Sequence, residues 1–146
     1  MNPSTTYSKP QIVIKKSFNH PVEKVWYALT DAEALSTWLM ETNGFSMNPG
    51  SKFQFKTTPR GKFDGIVDCE ILEVDQPHMI QYSWKAKGMK QPTLVTWKLK
   101  PIHKSKTMLT LSHNGFVGMD GWLTKTMLNF GWKKLLHKKL RTYLLK

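Results

Sequence analysis

GWLTKTMLNFGWKKLLHKKLRTYLLK, residues Gly121–Lys146, closes the chain with apolar residues at helical spacing and a large excess of lysine. At about 3.6 residues per turn, one group of its apolar side chains falls into a single stripe. The stripe consists of Leu128, Trp132, Leu135, Leu136, Leu140, Tyr143 and Leu144. The lysines and Arg141 lie mostly on the opposite side. This pattern predicts a long amphipathic helix that covers a core with its stripe and turns its basic side to water.

The apolar phase of this helix changes at Gly131. Ahead of it the stripe would carry Lys125 and Asn129, whereas Met127 and Phe130 point roughly the opposite way. A glycine inside a helix costs about 1 kcal/mol relative to alanine, so the position favours a kink or a close approach to the backbone. We therefore expect the back half of the helix to seal the core and the front half to overhang a cavity. Packing of a kinked helix on a sheet, without a cavity, stays open as the alternative.

The region before residue 50 predicts one strand and two short helices. Residues 11–18 alternate in polarity, and Lys16 falls on the apolar side of that strand. Apolar residues at helical spacing then predict a first helix that begins near Pro21 and a second that Asp31 is placed to cap.

From Ser51 onward the apolar residues alternate with a period of two, which is typical of strands with one buried face. The alternating sets are Phe53 and Phe55; Ile80, Tyr82 and Trp84; Val95, Trp97 and Leu99; and Thr107, Leu109, Leu111 and His113. A further extended stretch, residues 63–74, does not keep one phase, so a β-bulge is expected there. The sequence thus predicts an α+β fold in which a curved six-stranded antiparallel sheet wraps around the long C-terminal helix, with two short helices after strand one.

Composition limits the domain count, the cellular setting and the cofactors. A chain of 146 residues with 40% hydrophobic residues suits one domain, expected over residues 11–146 behind a flexible segment at residues 1–10. Cys69 is the single cysteine, so no internal disulfide can form, and no Cys/His cluster has zinc-ligand spacing. Neither a signal peptide nor a membrane-spanning run of apolar residues is present. We expect a cytoplasmic protein without a metal or another cofactor.

The net charge of +12 arises from 22 Lys+Arg against 10 Asp+Glu, and only Arg60 and Arg141 are arginines. Arginine is the residue that recognises guanine and phosphate with two parallel hydrogen bonds. A lysine surplus alone favours a solvated surface with weak phosphate attraction, and it disfavours specific nucleic-acid binding. An acidic protein partner stays possible.

Four stretches carry a family resemblance: SFNHPVEKVWYALTDAEALSTWL (residues 17–39), EILEVDQPHMIQYSW (70–84), KTMLTLSHNGF (106–116) and GWKKLLHKKLRTYL (131–144). In this order they resemble the START-like superfamily, also called SRPBCC or birch-pollen-allergen-like. Within it they are most similar to homologues of the activator of the heat-shock protein 90 ATPase. The resemblance implies a helix-grip fold, in which a curved sheet wraps a long C-terminal helix and leaves a deep, mostly apolar pocket between them.

Inward-facing aromatic residues and the helix supply the candidate pocket walls, which are Trp38, Phe53, Phe55, Tyr82, Trp84, Trp97, Met127, Gly131 and Trp132. Lys16 and His113 are the candidate polar anchors. The leading hypothesis is a non-catalytic binding domain for a small hydrophobic or aromatic ligand held between the sheet and the C-terminal helix. Acidic residues are scarce at inward positions and no catalytic motif is present, which disfavours an enzyme. Two alternatives stay open: a chaperone-related protein-interaction domain that uses its basic surface, and an enzyme acting on a small apolar substrate in the same pocket.

Overall fold

The structure is a computed structural model that describes residues 11–146, except for the side chains of residues 118–123. The segment expected to be flexible, residues 1–10, lies outside the described residues. The elements in chain order are β1 (Ile12–Phe18), α1 (Val22–Thr30), α2 (Ala32–Trp38), β2 (Glu41–Asn43), β3 (Lys52–Lys56), β4 (Ile66–Asp75), β5 (Met79–Ala86), β6 (Thr93–His103), β7 (Lys106–Asn114), α3 (Gly118–Lys134), a π-helical segment (Leu135–Leu140) and α4 (Arg141–Leu144).

The strands form a single seven-stranded antiparallel sheet in the order β1-β7-β6-β5-β4-β3-β2. Strands β2 to β7 follow one another as neighbours, while β1 lies at the far edge beside β7, and α1 and α2 connect the two edges. Alternate residues of the strands are buried, as in the row Tyr82 and Trp84 of β5 and the row Val95 and Trp97 of β6. This α+β architecture, with helices on one face of a curved sheet, confirms the predicted fold class.

The prediction of six strands was one short because β2 carries no apolar alternation. This edge strand has three residues, and only Thr42, which lies opposite Phe55 of β3, is buried. The expected bulge is present in β4, where the pairing register with β5 shifts between Ile71 and Glu73. The strand begins at Ile66, because the residues just before it form a turn closed by a bridge between Arg60 and Phe63.

Two local signals set the short helices. The Asp31 side chain accepts a hydrogen bond from the Ala34 backbone N–H at 3.0 Å, which confirms the predicted cap of α2. Pro21 is the residue before α1 rather than its first helical residue, since its ψ of 154° is extended. The Trp38 indole of α2 donates to the Ala28 carbonyl at 2.8 Å and so fixes α2 against α1.

The C-terminal helix, defined here as Gly118–Leu144, is continuous from α3 through the π-helical segment into α4. Its buried row, Trp132, Leu136, Leu140 and Leu144, repeats every four residues. At about 100° per residue a four-residue repeat drifts by about 40° per step in an α-helix. The wider turn of the π-helical segment at Leu135–Leu140 offsets this drift, so the row stays directed at the sheet.

Gly131 does not serve the tight backbone approach that its position in the sequence favoured. It lies within α3, is exposed, and would place an added Cβ in open space. The π-helical irregularity begins four residues later, at Leu135. The kink expected at Gly131 was therefore wrong: the helix runs through it, and the apolar phase changes there because Met127 and Phe130 are exposed.

Candidate ligand site and outer helix face

The seven aromatic residues predicted as pocket walls come together between the sheet and the C-terminal helix, whereas the other two predicted walls, Met127 and Gly131, do not. They are contributed by α2 (Trp38), β3 (Phe53, Phe55), β5 (Tyr82, Trp84), β6 (Trp97) and the helix (Trp132). The strands hold the five sheet residues in place, because each of the five belongs to an inward-facing row of its strand.

The rings contact one another and fill the space between helix and sheet. The centroid of the Trp132 ring lies 5.2 Å from that of Trp84 and 5.5 Å from that of Trp97. Phe53 and Tyr82 meet at 5.2 Å in an edge-to-face arrangement. Tyr82 and Trp97 are 0% exposed and Trp132 is 1% exposed. The centre of this aromatic layer, at Tyr82, Trp97 and Trp132, is therefore closely packed and shielded from solvent.

A buried chain of hydrogen bonds ties Trp132 to the sheet through His113. The Trp132 indole N–H donates to His113 Nδ1 at 3.0 Å, and His113 Nε2 lies 2.7 Å from Thr93 Oγ1. Thr93 Oγ1 in turn donates to the Trp84 carbonyl at 2.7 Å. An indole nitrogen can only donate, so Nδ1 must accept and the ring proton must lie on Nε2. The three bonds thus run in one direction and require a neutral imidazole.

Burial lowers the pKa of His113 to about 3. The imidazole is fully buried, and the indole N–H on one side and the threonine hydroxyl on the other occupy both ring nitrogens. A base needs a free nitrogen within reach of substrate. In this arrangement His113 positions Trp132 and does not present a nitrogen to a bound molecule.

Sequence reasoning missed Thr93, although a signal for it was available. Thr93 shares the period-two inward row with Val95 and Trp97, and a threonine in such a row needs a buried partner. Gly115, at a φ of +102°, lets the turn after β7 approach Thr93 closely, since a Cβ there would lie 3.3 Å from the Thr93 Cα. Gln11 holds the same turn, because its Oε1 accepts from the Phe116 backbone N–H at 2.6 Å.

Two other buried polar groups in this core, the Tyr82 hydroxyl and the Cys69 thiol, are also engaged. The Trp97 indole donates to the Tyr82 hydroxyl at 2.9 Å, and burial raises the pKa of that phenol. Burial also raises the pKa of the Cys69 thiol, which packs opposite Phe53 as a small apolar side chain. Neither group presents an ionised nucleophile.

Three predicted site residues lie away from the aromatic layer. Met127 is 73% exposed and Gly131 is exposed, because helical geometry turns both outward when Trp132 faces the sheet. Lys16 is half-buried, as its strand position predicted, with Nζ 5.7 Å from the Phe18 ring centroid. It pairs with Leu109, four residues along β7 from His113, or about 13 Å at 3.3 Å per residue, so it does not reach the imidazole.

A small cleft lies at one end of the aromatic layer. It is lined in part by Met89, Thr93, Gly115, Phe116 and Thr124, and its volume of about 30 Å³ suits a water molecule or two. The Phe116 ring lines this cleft and contacts the imidazole of His113, with 4.7 Å between centroids and an angle of 50° between the ring planes.

The outer face of the C-terminal helix has a different chemistry. Met127 and Phe130 are each 73% exposed, which is unusual for adjacent large apolar side chains on one helix turn. Residues 124–146 contain six lysines and Arg141 but no aspartate or glutamate. Across the residues with described side chains, none of these cations forms an ion pair. The outer face of the C-terminal helix therefore exposes large apolar side chains next to basic ones.

Two structural absences hold for the described residues. No three His, Cys, Asp or Glu side chains there are grouped to hold a metal ion. No helix in that part of the chain is long and apolar enough to cross a membrane.

Several solved structures have a fold similar to that of this chain. Protein MLL2253 from Mesorhizobium loti is 26% identical with a TM-score of 0.79, over 91% of this chain and 95% of that one. CalU16 from Micromonospora echinospora is 22% identical with a TM-score of 0.74, over 90% and 72% of the two chains. PFC0360w from Plasmodium falciparum, described as an HSP90 activator, is 24% identical with a TM-score of 0.69, over 86% and 90%. A search of curated proteins found no match.

The curved sheet closed by a C-terminal helix defines a START-like domain of the helix-grip type. The family model for "Activator of Hsp90 ATPase homolog 1-like protein" matches residues 19–145. The chain belongs to this family, which confirms the resemblance found in its sequence.

Proposed function

We propose that this domain is a non-catalytic protein-binding module and that the outer face of the C-terminal helix is its contact surface. The observation that carries the proposal is the pair Met127 and Phe130, each 73% exposed, beside lysines that form no ion pair with any carboxylate whose side chain the structure describes. An apolar centre with a charged rim is typical of protein interfaces. The family name and the HSP90 activator among the structural neighbours make a chaperone of the Hsp90 class the first partner to test.

The partner surface should be apolar at its centre and acidic at its edge. The net charge of +12 would steer such a surface toward the domain and make the association rate fall as salt rises. This proposal places the interaction outside the packed aromatic layer, and that layer then serves to hold the helix rigidly in position.

The test is binding and ATPase measurement with a purified Hsp90-family chaperone from the same source. Phe130→Ser should weaken binding by about tenfold, in the range of an interface anchor. Val117→Ser, a matched change at a side chain that is 43% exposed outside that turn of the helix, should leave binding within about twofold. Equal effects of the two substitutions, or no binding by the unmodified domain, would refute the proposal.

A second candidate function, a site for a small apolar ligand, is favoured by the cleft beside Thr93 and Phe116. A ligand there would have to displace Phe116 from the His113 imidazole and enlarge a volume that now suits water. Trp84 and Trp132 lie next to that imidazole, with Trp84 at 5.5 Å between centroids, so binding should change tryptophan fluorescence. Titration with phenolics and fatty acids tests this, and an unchanged spectrum at millimolar ligand would exclude it.

A further inference from the structure

A second feature of the C-terminal helix is a groove on its side facing α2. Here the basic groove means the depression lined by Lys134, Lys138, Lys139 and Lys146 together with Thr37, Trp38, Thr142 and Tyr143. Its volume is about 430 Å³ and it is open to solvent. The side chains of Lys134, Lys138, Lys139 and Lys146 are exposed, while Trp38 at its floor is buried.

The charges in the groove are uncompensated. Within the described residues no carboxylate pairs with any of its four ammonium groups, and the only specific contact among them is Lys146 Nζ at 5.9 Å from the Tyr143 ring centroid. Like charges held close together destabilise the free protein, so binding of an anion would relieve a repulsion already present. In a concave site the protein walls exclude part of the solvent, so water screens the repulsion between such charges less than it does on a flat surface.

The spacing of the cations selects the shape of the anion. Lys134 and Lys138 are one turn apart, or about 6 Å at 1.5 Å per residue, and Lys146 lies two turns further along the helix. Carboxylates on alternate residues of an extended peptide are about 6.6 Å apart. Lys134 and Lys146 are about 18 Å apart along the helix. An extended segment of seven residues spans about 20 Å, so acids at its first, third and seventh positions can lie near Lys134, Lys138 and Lys146.

The groove suits a peptide better than other polyanions. A lipid surface is flat and cannot follow a depression between two helices. Single-stranded nucleic acid is held by exposed aromatic platforms, whereas Trp38 is buried and the Lys146 ammonium lies over Tyr143. Arg141, the nearby arginine, does not line the groove. The threonine hydroxyls of Thr37 and Thr142 are suited to backbone carbonyls of an extended chain.

We infer that the basic groove binds an extended acidic peptide segment with carboxylates on alternate residues. The inference rests on the proposed function, since it assigns part of the partner to a second surface of the same helix. It does not depend on the apolar pair Met127 and Phe130, so the two can be tested separately.

The experiment uses an N-acetylated seven-residue peptide in which four glutamates alternate with three serines, titrated into the full chain by calorimetry. Lys138→Glu should weaken binding by about tenfold, because it removes a cation and adds a repulsive charge. Lys133→Glu is the matched control: the same charge change on the same helix, outside the groove, should weaken it by less than about twofold. Raising salt from about 50 mM to about 500 mM should abolish binding to the unmodified chain.

Three results would overturn the inference. Equal weakening by the two substitutions would show a general charge effect. Tighter binding of a single-stranded oligonucleotide, or of phosphatidylserine vesicles, with the same dependence on Lys138 would assign the groove to another class of partner. No binding of the peptide at low salt would leave the groove without this role, while chaperone binding that still depends on Phe130 would keep the proposed function intact.

Discussion

The C-terminal helix is used differently before and after Gly131. After it, Trp132, Leu136 and Leu140 are 0–1% exposed and pack on the sheet, and a π-helical segment keeps them in one row. Before it, Met127 and Phe130 are each 73% exposed. The two stretches have similar apolar content, so hydrophobicity alone does not distinguish a folding surface from a binding surface. Direction relative to the sheet does, and substitutions in the two stretches should have effects of very different size.

The largest difference is expected between Trp132 and Phe130. Trp132→Ala should lower the free energy of unfolding by about 3–5 kcal/mol, because it opens a cavity in the aromatic layer and leaves His113 Nδ1 without its donor. Phe130→Ala should change it by less than about 0.5 kcal/mol. Urea-induced unfolding measures both. Similar changes in the free energy of unfolding for the two variants would contradict the assignment of Trp132 to the core and Phe130 to an exposed face.

A smaller effect is expected from acid, through His113. Its folded-state pKa of about 3 lies below the usual 6.5, so the unfolded chain binds the proton more readily. The contribution of the neutral His113 imidazole to the free energy of unfolding should be fully present above about pH 6.5 and should be lost as the pH falls toward 3. A buried histidine of this kind accounts for a loss of about 3 kcal/mol on going from pH 7 to pH 4.5, since about two pH units lie below the usual pKa of 6.5 and each contributes about 1.4 kcal/mol.

The control for this pH effect is His113→Gln, measured by urea unfolding at both pH values. The variant should be less stable at pH 7, since an amide cannot reproduce both hydrogen bonds of the ring. Its stability should nevertheless change less between pH 7 and pH 4.5. A pH dependence as steep as that of the unmodified chain would assign the acid sensitivity to other groups.

The sequence predicted that the two stretches point in different directions, because periodicity reports direction, but it placed Met127 in a pocket wall instead of on an exposed face. The period of two identified the inward rows that hold Tyr82 and Trp97, and the helical wheel separated Trp132 from Phe130. Strand β2 escaped prediction because pairing with β3, rather than its own residues, makes Glu41–Asn43 a strand. The π-helical segment escaped because its six residues, Leu135–Leu140, fit an α-helix as well.

The sequence predicted which residues form the candidate site but not how they are arranged in three dimensions. The sequence identified the aromatic residues that meet between helix and sheet, but whether large rings leave a pocket or fill it depends on centroid distances of 5–6 Å that no pattern encodes. The bond from Trp132 to His113 joins residues 19 apart in the chain, and the bond from His113 to Thr93 joins residues 20 apart. The basic groove likewise requires α2 to lie beside the helix, which only the tertiary fold determines.

The smallest expected effect concerns the boundary itself, Gly131. An added Cβ there meets open space and the backbone is already helical, so Gly131→Ala removes freedom from the unfolded chain without strain in the folded one. The free energy of unfolding should rise by a few tenths of a kcal/mol to about 1 kcal/mol, seen as a higher melting temperature. Gly115→Ala is the contrasting control, because a φ of +102° and the nearby Thr93 backbone make that substitution destabilising. A lower melting temperature for Gly131→Ala would mean that the helix bends at Gly131 in solution, and the boundary between the two stretches would then be a hinge rather than a change of facing.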